Sequence, residues 1–304
     1  MAIFKARVNI SILLYGVKVG LILLAALVYF NTNTFDVRYS GSMNATAYGN
    51  IMGAMLLFSI AKISQENLIE KQFTLFAFFS GGLALIASGT RGAWIGVLIT
   101  MCLYILIDYK KGELKSLLKF LGLTVLMAIV LVNFVKFPNM ENRMLLAKQQ
   151  VINWISGKDN NSSVGVRMEM WNASIKQINQ KLPLTGFGYR NVNPIIVKHA
   201  SKEAQSQIIR YNHIHNTYLQ HLIAEGVLGL IAILALLLLP LRVFFVKIKD
   251  KKDNIVTAST MGVVLMVSFA LFGVSNKMFG GVFINAFYVF FLAILLPFVY
   301  KKPS

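Results

Sequence analysis

The sequence predicts an all-α, polytopic membrane protein with about eight transmembrane helices and one large extramembrane loop before the sixth helix. Two observations support this prediction. Apolar residues make up 56% of the 304-residue chain and charged residues only 14%, whereas roughly a quarter of the residues in ordinary soluble domains are charged. Apolar runs of about twenty residues, the length that crosses a hydrocarbon layer about 30 Å thick, recur along the chain.

Eight apolar stretches are candidate membrane spans. They cover residues 10–30, 45–63, 73–88, 92–107, 114–135, 218–245, 255–274 and 282–300. Only Gly89, Thr90 and Arg91 separate the third stretch from the fourth, and both are short. We therefore expect these two to form a tight helical hairpin.

The basic residues predict which side of the membrane each loop faces. Lysine and arginine cluster before the first span and after the second, fourth, sixth and eighth. The connections after the first, third and seventh spans hold only Arg38, Arg91 and Lys277. Cytoplasmic loops collect Lys and Arg, so both termini are predicted to be cytoplasmic. The Arg91 turn and the segment 136–216 are then predicted to face the opposite side.

Three parts follow from this topology: residues 1–135 with five helices and the Arg91 hairpin, 136–216 as a basic outer loop, and 217–304 with three helices. The loop carries eleven basic and four acidic residues, a net charge of +7. Long loops escape the positive-inside rule, so this charge does not change the topology. Its apolar residues are too few for an independent core, and we expect it not to form a separate domain.

The whole chain has a formal net charge of +18. Nucleic acid is one class of partner for such a charge, but two simpler explanations suffice in a membrane protein. Cytoplasmic loops are basic, and a basic outer surface suits phosphate-bearing lipids or glycans. The expected partners are therefore membrane lipids and phosphate-bearing lipids or glycans, with no nucleic acid.

A histidine-rich stretch at residues 210–229 leads directly into the sixth apolar run. Ionisable groups at a membrane edge are costly, which makes them functional candidates. His215 is predicted to act as a general base or to bind a phosphate; the alternative is a histidine that caps or packs the membrane edge. His213 and His221 also suggest a metal, but no Asp or Cys lies at ligand spacing and His215 and His221 point to different helix faces. No metal and no cofactor is predicted.

Arginines on the outer side predict an anion site. Arg91 begins a helix among small residues, a position that favours anion binding; the alternative is an arginine that extends to the lipid headgroups. Arg167 and Arg190 lie in the outer loop, where solvated arginines are equally common. Together the three offer bidentate donors that a polyphosphate would satisfy.

Two further groups are polar for membrane segments. Residues 44–50, which include Tyr48, either line a substrate groove or cap the second span and pack it closely. Glu225 is predicted to be buried about two turns into the sixth span, where it either pairs with an arginine or forms a hydrogen bond that helps helices to pack.

Gly226 and Gly229 most simply allow helices to pack closely.

These residues resemble the O-antigen ligase and polymerase superfamily of bacterial envelope enzymes. The resemblance runs from Asn44 to about Gly229. It rests on SGTRGAW around Arg91, on GVRMEMWNASIKQI and PLTGFGYRN in the outer loop, and on HN-x9-GVLG from His215. The arginine hairpin, the large loop and the histidine at its return to the membrane occur in the order typical of the family.

The resemblance implies a metal-independent glycosyl transfer on the periplasmic face of the bacterial inner membrane. The implied donor is a glycan on undecaprenyl diphosphate, and the implied acceptor for a ligase is the lipid A-core. Arg91 and Arg167 are expected to hold the diphosphate, and His215 to take the acceptor proton. Asn216 is expected to orient the acceptor or the imidazole, with Arg190 or Arg210 assisting at phosphates.

Two alternatives remain at this point. A polysaccharide polymerase or a protein O-oligosaccharyltransferase would share these motifs, so the choice of a ligase rests on the family pattern. A non-enzymatic transporter of lipid-linked glycans or anions is the alternative of a different class, although the inverted repeats common in transporters are not visible. Relatives are expected to have ten to twelve membrane helices, so helices equivalent to the first few of the family are expected to be missing here.

Overall fold

The structure is a computed structural model that describes residues 9–32, 39–110, 122, 140–158, 161–211 and 213–300. Within these residues the regular structure is helical and no strand occurs. The α-helices are α1 (Ile10–Thr32), α2 (Ala45–Ser59), α3 (Leu68–Ala87), α4 (Arg91–Lys110), α5 (Met140–Ile155), α6 (Ser163–Gln180), α7 (Tyr189–His199), α8 (Lys202–Ile208), α9 (Thr217–Lys247), α10 (Asp253–Ser275) and α11 (Val282–Tyr300).

Six of the described helical segments are long and apolar enough to cross a membrane. They are Ile10–Asn31, Ala45–Gln65, Leu68–Ala87, Thr217–Lys247, Asp253–Ser275 and Val282–Tyr300. Helix α4 adds a shorter apolar stretch, Arg91–Tyr104. The predicted span 114–135 lies outside the described residues, apart from residue 122. The prediction of an all-α polytopic membrane protein is confirmed.

Local capping explains where two of the spans begin. Helix α3 starts at Leu68, earlier than the predicted residue 73, because Asn67 and Glu70 form a capping box. The Asn67 side chain accepts from the Glu70 nitrogen at 3.0 Å, and the Glu70 side chain accepts from the Asn67 nitrogen at 3.1 Å. The Asn44 side chain accepts from the Thr46 nitrogen at 2.8 Å at the start of α2. This is the capping alternative proposed for that stretch.

The chain divides into two compact units. The first unit comprises Met1–Phe137, Leu238–Phe272 and Gly281–Ser304. A buried ion pair lies inside it: Lys18 Nζ on α1 is 2.5 Å from Glu66 Oε1, and both side chains are almost fully buried. The Thr74 hydroxyl donates to Glu66 Oε2 at 2.6 Å. Glu66 therefore joins α1 to α3 by charged hydrogen bonds.

The second unit comprises Pro138–Leu237 and Gly273–Gly280. Its buried apolar core contains Val166, Met170, Ala173, Val192, Ile196, Ala204, Ile208, Ile214, Ile223 and Ala224. Most of these residues come from the segment that was expected to have too few apolar residues for a core. Ile223 and Ala224 come from α9, so the membrane-entering helix completes this core.

A buried carboxylate ties the helices of this unit together. Glu169 on α6 accepts from Trp154 Nε1 of α5 at 2.9 Å and from the Ser201 nitrogen before α8 at 3.1 Å. Both oxygens of the buried side chain therefore have a donor, which offsets the cost of removing the charge from water.

Candidate functional site

Helix α9 is broken where the loop at residues 183–188 inserts into it. Gly226 has φ 73° and ψ −161°, and these backbone angles lie far from those of an α-helix. The Phe187 nitrogen donates to the Ile223 carbonyl at 2.9 Å, and the Gly188 nitrogen donates to the Ala224 carbonyl at 2.8 Å. The inserted loop thus satisfies helix carbonyls that the break leaves without their usual donors.

The two segments touch through their backbones at Gly186 and Gly226. A Cβ atom on Gly186 would lie 2.4 Å from the Gly226 nitrogen, and one on Gly226 would lie 2.3 Å from the Leu184 oxygen. The interpretation of Gly226 as a helix-packing glycine is therefore wrong, because its missing side chain admits a loop. At Gly229, a Cβ atom would instead meet Glu225 of the same helix, 2.3 Å from its Cβ.

His215 lies in the short loop that precedes α9 and has φ 56°, in the left-handed region. Few residues other than glycine adopt this conformation, so the surrounding contacts must hold it. Trp171 Nε1 of α6 donates to the Ile214 carbonyl at 3.2 Å. The Ile214 nitrogen donates to Gln220 Oε1 at 3.0 Å. Both the N–H and the C=O group of Ile214, the residue before His215, therefore have hydrogen-bond partners.

Asn216 and Thr217 fix the other side of His215. The Asn216 side chain accepts from the Leu219 nitrogen at 3.0 Å, which caps α9, and its amide donates to the Val274 carbonyl at 3.0 Å. The Thr217 hydroxyl donates to the Asn276 carbonyl at 2.8 Å. These contacts hold the histidine loop against residues 273–280. The substrate-binding role of Asn216 stays a prediction.

Burial and neighbouring cations keep the loop histidines neutral. Burial, then His213 and Arg167, lower the pKa of His215 to about 3. Burial, then Lys277 and Arg167, lower the pKa of His213 to about 4. The His215 ring lies 4.1 Å from that of His213 and 5.1 Å from that of Tyr211, between centroids. At neutral pH both imidazoles are therefore uncharged.

The structure brings one of the predicted loop arginines to this site. Arg167 on α6 is partly buried, and its charge acts on both His213 and His215. Arg190 in the first turn of α7 and Arg210 after α8 are exposed. Neither is among the charges that lower the two histidine pKa values.

Sequence reasoning missed a second cluster of polar side chains on α9 and α7. His221 Nδ1 is 3.0 Å from Glu225 Oε2 and 3.3 Å from the Tyr189 hydroxyl. Lys277 lies over the Tyr189 ring, with Nζ 5.4 Å from its centroid. The i,i+4 spacing of His221 and Glu225 was a signal for this pair. Lys277 had been considered only as a marker of topology.

One expectation about Glu225 needs correction. Its side chain is 41% exposed, although its position in the apolar run predicted burial. Its hydrogen-bond partner is the His221 imidazole of the same helix, with Nδ1 3.0 Å from Oε2.

Arg91 belongs to the first unit, where it begins α4 after a tight turn. The Thr90 hydroxyl donates to the Ala45 carbonyl of α2 at 2.9 Å, and the Ala93 nitrogen donates to the Thr90 carbonyl at 3.0 Å. A Cβ atom on Gly49 would lie 2.7 Å from the Ser88 hydroxyl oxygen. The predicted tight hairpin is confirmed, and its turn packs directly on α2.

Tyr48 lies beside this turn in the first unit. Only 2% of the residue is exposed, and its ring meets that of Tyr39 edge-on with centroids 5.5 Å apart. Within the described ranges its hydroxyl has no hydrogen-bond partner. The predicted role of Tyr48 in a substrate groove stays a prediction.

No group of three or more His, Cys, Asp or Glu side chains in the described part of the chain is placed to hold a metal ion. The side chains that gather around His215 are cationic, aromatic and neutral imidazole groups. This arrangement suits an anionic ligand beside a group that can accept a proton.

Comparison with known proteins gives two matches. The sequence profile of the family described as O-antigen ligase matches residues 76–234, which include the hairpin, the outer loop and the first part of α9. An uncharacterized protein from Haemophilus influenzae is 27% identical over 259 residues, which cover 83% of this chain. The chain spans 63% of the length of that relative.

Proposed function

This chain belongs to the O-antigen ligase family, and we propose that it transfers a glycan from undecaprenyl diphosphate to the lipid A-core on the periplasmic face of the inner membrane. The observation that carries the proposal is the geometry of His215. A neutral imidazole is held in a strained, left-handed conformation beside the charge of Arg167. A base next to an anion-binding cation is the arrangement that transfer from a diphosphate requires.

In the proposed reaction His215 takes the proton of an acceptor hydroxyl. The hydroxyl oxygen attacks the first carbon of the donor glycan, and the bond from that carbon to the diphosphate breaks. The pair of electrons leaves with the diphosphate, whose negative charge increases. Arg167 binds and stabilises this leaving group, the largest single contribution that we propose for the protein. The expected role of Arg91 at the diphosphate stays a prediction.

Donor binding also changes the strength of the base. In the unliganded protein the pKa of His215, about 3, makes it a weak proton acceptor. A diphosphate beside Arg167 adds negative charge close to the imidazole and raises the pKa of His215 toward its ordinary value. We therefore propose that His215 becomes an effective base only when the donor is bound, which limits unproductive proton transfer.

The remaining predicted residues have supporting roles in this proposal. Asn216 caps α9 and holds the histidine loop, so it orients the imidazole. Arg190 and Arg210 are exposed and would contact phosphates of the donor or the core.

The test is the lipopolysaccharide profile of a strain in which the gene is deleted and then restored. Deletion should leave complete lipid A-core without attached polymer, while lipid-linked polymer accumulates. Wild type should restore the ladder, and His215→Ala at the same protein level should not. His199→Ala is the matched control, because His199 pairs with Gln177 away from the histidine loop, and it should restore the ladder.

Other profiles would identify the alternatives. A core that carries a single repeat unit would assign the chain as a polymerase with the same donor and a different acceptor. An unchanged ladder after deletion would remove both enzymes and leave the transporter. Full rescue by His215→Ala would contradict the proposed role of His215 even if the deletion phenotype supports a ligase.

A further inference from the structure

We propose that Glu225, Tyr189 and Lys277 form a binding site for the hydroxyl groups of the acceptor glycan. The proposal rests on the proposed function, because it assigns the acceptor of that transfer to a place on the second unit. The donor diphosphate is assigned to arginine, whereas Glu225, Tyr189 and Lys277 take no part in the proposed making and breaking of bonds.

Glu225 is a carboxylate held in one orientation. His221 Nδ1 lies 3.0 Å from Oε2, within hydrogen-bond distance. The absence of a side chain at Gly229 makes room for the carboxylate, since a Cβ atom there would lie 2.7 Å from Oε2. His221 itself is 5% exposed and cannot swing away. The carboxylate is therefore preorganised, yet 41% of the side chain faces solvent.

Tyr189 lies next to this carboxylate, and Lys277 lies over the Tyr189 ring. Partial burial, and then the charge of Glu225 and a hydrogen bond to it, raise the pKa of Tyr189 to about 12, so the phenol remains a donor. Lys277 Nζ lies 5.4 Å from the centre of the Tyr189 ring. A Cβ atom on Gly280 would lie 2.3 Å from Lys277 Cε, so the absence of a side chain at Gly280 leaves room for the lysine side chain.

Charge favours a neutral ligand over the other candidates. Glu225 repels a diphosphate, and Lys277 repels a cation, so neither class of ligand suits the pair. A sugar hydroxyl can donate to the carboxylate and accept from the ammonium group. The Tyr189 side chain, 45% exposed, offers an apolar ring face of the kind on which sugar C–H groups pack. The ligand class is therefore a polyhydroxyl glycan.

Lys277 also connects this site to the histidine loop. Its charge lowers the pKa of His213, whose ring lies against that of His215. The same lysine lies over Tyr189, whose ring meets that of His221 edge-on with centroids 6.2 Å apart. Lys277 therefore links the Glu225 site to the histidine loop, which carries the residue proposed as the base.

The first experiment measures binding alone, with the full chain in nanodiscs and fluorescently labelled lipid A-core from the deletion strain as the probe. Glu225→Gln keeps the shape of the side chain and removes its charge, so the dissociation constant should rise about tenfold, the effect of losing one charged hydrogen bond. Glu203→Gln, an exposed carboxylate on α8, is the matched control and should bind as wild type does. Equal binding by wild type and Glu225→Gln would overturn the proposal.

The second experiment measures transfer with the lipid-linked donor. Glu225→Gln should raise the KM for the acceptor about tenfold and leave the KM for the donor unchanged, with kcat at saturating acceptor within about twofold of wild type. A fall in kcat with an unchanged acceptor KM would overturn the proposal, because Glu225 would then only position the loop. If wild type binds the core but transfers nothing, the proposed function fails and the binding site stands.

A second variant covers the case in which Glu225→Gln does not fold. Gly229→Ala keeps the carboxylate but displaces it, because the added carbon would lie 2.3 Å from Glu225 Cβ. It should weaken binding of labelled lipid A-core in the same nanodisc measurement. Core binding by Gly229→Ala at wild-type strength would contradict the proposal.

Discussion

Gly186 and Gly226 face each other through their backbones, and a methyl group on either would lie 2.4 Å from the backbone nitrogen of the other. Both residues have positive φ, 75° and 73°. The pair holds the loop before α7 inside the break of α9, and that loop carries Tyr189 to the polar face of the helix. One backbone contact therefore positions side chains from two distant parts of the sequence.

Gly226→Ala should destabilise the second unit strongly. The added carbon would collide with the Leu184 and Pro183 oxygens at 2.3 and 2.4 Å, and alanine is strained at this φ. Together the collision and the backbone strain should lower the free energy of unfolding by roughly 2–5 kcal/mol. Thermal unfolding of the detergent-purified protein measures the change. Gly82→Ala is the matched control, because Gly82 lies in α3 with open space around its Cβ position, and it should unfold as wild type does.

Stability should depend on pH through the histidine loop. The folded pKa values of His215 and His213, about 3 and about 4, lie below the ordinary value of 6.5, so the unfolded chain binds more protons as the pH falls. Their contribution is complete above about pH 7 and is lost progressively as the pH drops below 6.5 toward 4. His215→Gln should flatten this part of the curve of unfolding temperature against pH. A wild-type curve that is flat from pH 7 to pH 4 would contradict the prediction.

Arg167→Gln should raise the pKa of both loop histidines. The arginine charge is one cause of their low values, while burial remains the larger cause, so both should stay below 6.5. Titration of histidine-labelled protein by NMR measures the shift directly. The same variant should bind the lipid-linked donor more weakly. Arg210→Gln removes an exposed arginine and should change neither pKa, which separates a local effect from a change in total charge.

Glu66→Gln should destabilise the first unit. Lys18 is 3% exposed, and removal of the carboxylate charge would leave its ammonium group buried without a counter-charge. Loss of one partner of a buried pair costs about 3–5 kcal/mol. The double variant Lys18→Leu/Glu66→Leu removes both charges and should be more stable than Glu66→Gln. If the losses in the free energy of unfolding caused by the two substitutions simply add in the double variant, the pair acts through packing and not through charge.

The sequence was sufficient for features that depend on local chemistry. Apolar length predicted α1, α2, α3, α4, α9, α10 and α11, and the Gly89–Arg91 turn was evident from its small residues. The capping box at Asn67 and Glu70 could also have been found, because both residues lie at the spacing that such a box requires. The cap would have corrected the predicted start of α3.

Features that depend on pairing between distant segments could not be predicted. Gly186 and Gly226 were each recognisable as glycines with local roles, but nothing in the sequence shows that one segment enters the other. The position of Lys277 could not be predicted either, because only the fold brings residues 273–280 against the histidine loop.

The break in α9 also bears on how the helix matches the thickness of a bilayer. The helix has 31 residues, more than a hydrocarbon layer of about 30 Å requires at 1.5 Å per residue. The part that follows Gly226 is about 30 Å long by the same rise. The turns that carry Gln220, His221 and Glu225 are surplus to that thickness. A bilayer of ordinary depth can therefore accommodate the apolar part of α9 without tilt, with the exposed carboxylate of Glu225 at the headgroup level, where water and glycans can reach it.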